Sequence, residues 1–189
     1  NLMVAGHGIT HSERTDGEVR AAPHNLFGLQ TWLALPLAAE DGEATFHNAS
    51  KSVLPVLEGE GKTLRLILGA AWGEVAPVPT FSETFYADAG LAPGASLPLP
   101  DNHEDRGIYI LQGEVISGGQ TYEAGRMLVF RPGDRVSVKA GGQGARLILL
   151  GGATMEGPRH IWWNFVASSK ERIEAAKEAW RAGDWAHGR

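Results

Sequence analysis

Residues Arg106 to Ile116 read RGIYILQGEVI and run into Ser117-Gly118-Gly119-Gln120. Apolar residues alternate with small or polar ones on either side of Gly113, the period-2 pattern of a strand with one buried face. The Gly118-Gly119 pair is a hairpin signal, because tight two-residue turns need positive φ at their central positions. This stretch reads as the first arm of a β-hairpin.

The same signals repeat outward from it. Towards the C-terminus, Met127 to Phe130 ends in the turn Arg131-Pro132-Gly133-Asp134, Arg135 to Lys139 alternates, and Ala145 to Leu150 (ARLILL) is a continuous apolar run suited to a fully buried strand. Towards the N-terminus, Thr84 to Ala89 leads into Leu91-Ala92-Pro93-Gly94. Before it, Val53 to Leu57 and Thr63 to Leu68 (TLRLIL) are bounded by Gly59, Gly61 and Gly69. Phe27 to Leu35 (FGLQTWLAL) ends at Pro36, and the chain opens on the strand-like Asn1-Leu2-Met3-Val4-Ala5-Gly6. Turn signals about 8–12 residues apart predict an all-β sandwich or barrel. Only the tail departs from this. Ser168-Ser169-Lys170-Glu171 is a capping-box signature, Ile173, Ala176, Ala179 and Trp180 share one helical face, and Gly183 is a stop. A helix over residues 168–182, docked on the β core, is expected. The polar breaks Ala38 to Gly42 and Glu58 to Lys62 bracket a domain boundary.

Composition narrows the function classes. The 189 residues carry 17 Lys and Arg against 22 Asp and Glu, a net charge of -5, with 43% hydrophobic residues and no Cys. A core of that size excludes wholesale disorder, and the acid excess argues against nucleic acid as the main ligand. Without Cys there is no disulfide framework, thiolate metal site or cysteine nucleophile. No apolar run approaches the roughly 20 residues of a membrane span. Nucleophile elbows, phosphate loops and zinc-protease motifs are missing.

Histidine carries what chemistry remains. His11 and Glu13 stand two apart, so on a strand they share a face. Imidazole with carboxylate suits iron, and also zinc, manganese or nickel. Two ligands do not hold a metal well, and on spacing alone two solvated side chains at a strand end is the simpler reading. Trp32, Trp72, Trp162 and Trp163 read as packing residues.

Ala5-Gly6-His7-Gly8-Ile9-Thr10-His11-Ser12-Glu13 closely resembles the signature that ends the first cupin barrel of the pirin family. Gly28-Leu29-Gln30-Thr31-Trp32-Leu33-Ala34-Leu35-Pro36, Leu91-Ala92-Pro93-Gly94 and Tyr109-Ile110-Leu111-Gln112-Gly113-Glu114 agree in order, and Gly157 to Asn164 is similar to the segment before the family's final helix. The resemblance implies a bicupin of double-stranded β-helix barrels. Residues 1–50 would be the remainder of an N-terminal metal-site cupin whose first part is absent, and residues 55–189 a C-terminal cupin ending in the helix.

It further implies a mononuclear Fe(II), or another divalent metal, held by an H-x-H pair and a later H-x-E pair. His11 and Glu13 match the later pair, His7 falls beside it, to support the metal pocket without ligating or to face solvent, and no H-x-H occurs in the sequence. The implied activity is that of a quercetin (flavonol) 2,3-dioxygenase acting with O2, with Glu13 as ligand and base. The alternative implied is a non-catalytic redox- or iron-sensing regulator working through protein–protein contacts. Its partners would be a small aromatic substrate and O2, or a protein, with no direct nucleic-acid or membrane role. Its place would be the cytoplasm, or the nucleus in a eukaryote. In the second barrel the candidate metal positions carry Asp101, Asn102, His103 and Arg106, so no metal is expected there.

Overall fold

The computed structural model describes residues 1–184. In chain order they form β1 (Leu2–Val4), α1 (Gly17–Arg20), β2 (Thr45–His47), β3 (Val56–Gly59), β4 (Lys62–Ala71), β5 (Glu74–Val75) and β6 (Thr84–Leu91). There follow β7 (Ser96–Pro98), β8 (Asp105–Ser117), β9 (Gln120–Glu123), β10 (Met127–Phe130), β11 (Ser137–Gly152), β12 (His160–Trp162), β13 (Phe165–Ala167) and α2 (Lys170–Ala182). The contacts group them into two compact units. One holds residues 47–155 with Asn1 and Leu2; the other joins residues 3–46 to the chain from Glu156 onward. The expected segments 1–50 and 55–189 follow the chain, whereas packing places the final helix in the same unit as residues 3–46.

The first unit is a nine-stranded antiparallel sheet with main order β10-β8-β11-β6-β4-β3, to which β5, β7 and β9 add short pairings. Period-2 alternation builds its core. Leu64 and Leu66 of β4, Phe85, Ala87 and Ala89 of β6, Ile108 and Ile110 of β8, and Leu147 and Leu149 of β11 are buried in one cluster. The decisive stretch lies in β8, and its hairpin to β9 closes where expected: Gly118 has φ +57° and Gly119 φ +79°, between the paired Ser117 and Gln120. The Ala92 turn and the Arg131 turn also form, with the Ala95 N–H on the Ala92 carbonyl at 3.0 Å and the Asp134 N–H on that of Arg131 at 3.3 Å.

Gly113 interrupts the alternation for a structural reason. The β8–β11 register shifts between Ala140 and Ala145, a bulge that presses the Gly144 carbonyl against Gly113. Gly113 has φ +75°, and a Cβ on it would lie 2.1 Å from that oxygen.

The second unit departs from expectation. Residues 27–35 form no strand, and Phe27, Leu29 and Trp32 are exposed. A strand draws its hydrogen bonds from neighbours, and no ladder partner for this segment is present among the described residues. Trp162 and Trp163 are likewise exposed rather than core; only Trp72 of the four packs as expected, edge-on to Phe85 at 5.8 Å. The docking of α2 on the β core is also corrected. Its packing partner is the β12–β13 hairpin, where Trp180 meets Trp163 at 5.0 Å and Lys177 lies 4.6 Å over the Trp162 ring. The cap sits one residue later than the capping-box reading. Ser169 accepts the Arg172 N–H at 3.3 Å, and Gly183 ends the helix in the left-handed conformation.

Gly113→Ala should cost about 2–4 kcal/mol, combining left-handed backbone strain with a clash that the bulge cannot relax. Gly142→Ala, in the same bulge with open space and no positive φ, should stay within about 1 kcal/mol. Urea unfolding of the two variants checks the contrast.

Candidate functional site

The segment that resembles the metal motif begins with a tight turn. The Gly8 N–H donates to the Ala5 carbonyl at 2.8 Å, and the His7 N–H to that of Gly42 at 3.0 Å. The His7 ring adds a second tie, its Nδ1 lying 3.0 Å from the same Gly42 oxygen. Gly6 makes this approach feasible: it has φ +51°, and a Cβ there would fall 2.0 Å from the Gly42 oxygen. His7 is thus an anchor between the segment and Gly42.

Beyond this turn the backbone is irregular through residue 16, and His11 and Glu13 are exposed. They do not lie on a strand, so the same-face geometry expected of them is not formed here. The cause is again the lack of a neighbouring ladder among the described residues. Their donor types suit iron. In number they fall short, for no group of three or more His, Cys, Asp or Glu among the described residues is arranged to hold a metal.

A network that the sequence did not disclose surrounds residues 35–42. The Glu40 carboxylate accepts the Ser168 N–H at Oε1 and the Ser168 hydroxyl at Oε2, both at 2.7 Å, and lies 3.5 Å from the Arg172 Nε. Arg172 also pairs with Asp41. Arg159 donates twice to the Leu35 carbonyl, at 2.8 and 3.3 Å, and the Leu37 N–H bonds the Glu156 carboxylate. Sequence signals for it were slight: Ser168 stood out only as a capping residue, and Ala38 to Gly42 only as a polar break.

This network shifts its acids. Burial is the largest single influence on Glu40 and pushes its pKa up, but the two Ser168 bonds and the Arg172 and Arg159 charges together outweigh it, leaving the carboxyl below its ordinary value. Glu156 is lowered chiefly by the Leu37 N–H, and Arg172 is raised chiefly by its bond to Asp41.

In the first unit His103 and Arg106 are buried close to the start of β8 in the chain. His103, 3% exposed, places Nε2 2.9 Å from the Ala70 carbonyl and Nδ1 3.7 Å from Glu83. Arg106, 2% exposed, donates to the Pro100 and Arg131 carbonyls, each at 3.2 Å. Asp101 and Asn102 beside them are exposed. A divalent ion placed here would meet a fixed guanidinium and backbone groups already in use.

Residues 86–186, more than half of the chain, match the Pirin C-terminal cupin domain. The chain belongs to the pirin family. It is 43% identical over 184 residues to a pirin-like protein of Caulobacter vibrioides, covering 97% of this chain and 63% of that one. Human pirin is 30% identical over 181 residues, 92% of this chain and 60% of that one. The crystal structure of a quercetin 2,3-dioxygenase from Acinetobacter baumannii superposes with a TM-score of 0.72 at 26% identity, covering 80% of this chain and 50% of that one. This pirin-family chain therefore spans about three fifths of the length of these curated relatives. Its all-β cupin architecture with one prominent C-terminal helix is that of the family. Among the described residues no helix is long and apolar enough to cross a membrane.

The lowered carboxyls set a pH dependence. Their stabilising contribution is complete above the unfolded-state value, near 4.5, and is lost as the pH falls through the lowered folded values. On acidification below about pH 4.5 the near-ultraviolet signal of the Trp163–Trp180 cluster should decay first, while the far-ultraviolet β signal persists to lower pH. Coincident loss of the two signals would contradict this order.

Proposed function

We propose that this chain is part of a pirin-type cupin oxidoreductase, a flavonol 2,3-dioxygenase using O2 and one Fe(II). The observation that carries the reading is the likeness to the Acinetobacter quercetin 2,3-dioxygenase, joined to the H-x-E pair of His11 and Glu13. Residues 1–50 are the remainder of the metal-site cupin and residues 55–189 the C-terminal cupin. His11 Nε2 or Nδ1 and the Glu13 carboxylate serve as two ligands, the rest coming from an H-x-H pair outside this sequence. Bound iron would supply Lewis acidity at this site, while the flavonol itself is what O2 oxidises. Glu13 accepts the proton of the flavonol hydroxyl, a task for which a carboxylate is suited because a substrate oxygen on a Lewis acid is more acidic. His7 holds the turn that leads to both.

The test uses a chain of the relatives' full length, reconstituted with Fe(II). His11→Ala should release iron, and Glu13→Gln should lower kcat for quercetin by at least about 100-fold. Both changes lie at exposed positions and should leave stability within about 0.5 kcal/mol. Iron content by mass spectrometry and O2 uptake are the measurements. Full iron and full activity after replacement of both residues by Ala would sink the reading. Metal that survives those changes but is lost on His103→Ala would move the site to the C-terminal cupin. Iron lost with His11 but no flavonol oxidised at any stage favours the iron-sensing regulator.

A further inference from the structure

The second unit lacks an extended sheet, yet residues 5–8 are held in a defined turn. The β1–β2 pairing flanks this turn. A run of hydrogen bonds adds a second restraint. It starts at the N-terminal end of α2, where Ser168 and Arg172 grip Glu40 with two bonds at 2.7 Å and an ion pair at 3.5 Å, and where Arg172 also grips Asp41. The next residue is Gly42. Its carbonyl receives the His7 N–H and faces the His7 Nδ1, both at 3.0 Å, with Gly6 packed so closely that no side chain fits. His11 follows four residues later.

We propose that Glu40 is a positioning residue for the candidate metal segment, acting through Asp41 and Gly42 on the turn at Gly6 and His7. Its functional meaning rests on the reading of His11 and Glu13 as ligands. The helix end and the metal segment are far apart in sequence, so neither can restrain the other locally. Glu40 brings them together because one carboxylate offers two oxygens to a backbone N–H, a hydroxyl and a guanidinium at once. With both oxygens engaged, the Glu40-Asp41-Gly42 backbone has little freedom, and the Gly42 carbonyl becomes a fixed acceptor.

Hydrogen exchange on the present chain tests it without metal. The amides of His7 and Gly8 are both bonded, so a peptide covering residues 4–14 reports the turn directly. Glu40→Ala should speed exchange there roughly tenfold, in line with loss of a charge-assisted bond network, and leave residues 62–71 unchanged. Glu40→Gln, which keeps a carbonyl for the Ser168 donors, should restore most of the protection. Ser168→Ala, a milder change, should give a smaller acceleration in the same peptide. Faster exchange confined to residues 166–173, with residues 4–14 unaffected in all three variants, would overturn the proposal by reducing Glu40 to a helix tether. In the full-length, iron-loaded protein, iron retained after His11→Ala while Glu40→Ala still loosens residues 4–14 would refute the ligand reading and leave the relay standing.

Discussion

A β-strand satisfies none of its own backbone hydrogen bonds, and that requirement divides this chain in two. Between residues 47 and 155 every long strand has neighbours, so β4, β6, β8 and β11 pair across the sheet and turn alternate side chains into one core. In residues 27–35 the same kind of apolar-rich sequence has no ladder among the described residues, and it stays irregular. Propensity is similar in both places. The supply of partners is not.

Where pairing is complete, its exceptions carry structural meaning. Gly113 yields its side chain to the Gly144 carbonyl at a bulge, which bends β11 between Ala140 and Ala145. Arg106 is enclosed with its charge set against two loop carbonyls. These bonds tie the segments at Pro100 and Arg131 to the start of β8. The guanidinium does so with fixed geometry, although burying it carries a desolvation cost.

Where pairing is lacking, side chains take over the work of the ladder. Glu40, Glu156 and Arg159 bind backbone groups or a hydroxyl directly, and Arg172 pairs with the Glu40 and Asp41 carboxylates. Such ties are fewer and more sensitive to charge state than a sheet. That is why acid should loosen this unit first.

Local sequence determined the strands of the sheet, their turns and the C-terminal helix. Alternation, paired glycines, Pro-Gly steps and a capping serine act over a few residues and need no distant partner to be read; Gly118-Gly119 and Gly183 are the clearest cases. The H-x-E pair was legible in the same way as a choice of donor types at positions 11 and 13. Only the tertiary structure decided which apolar stretch became a strand, that α2 packs on the β12–β13 hairpin, and that Glu40 joins Ser168 and Arg172 to the Gly42 anchor of His7. These depend on the presence of a neighbouring strand or on contacts between residues distant in the chain, from the 17 positions between Trp163 and Trp180 to the 128 between Glu40 and Ser168. Neither condition leaves a periodic trace in the sequence around the residue concerned.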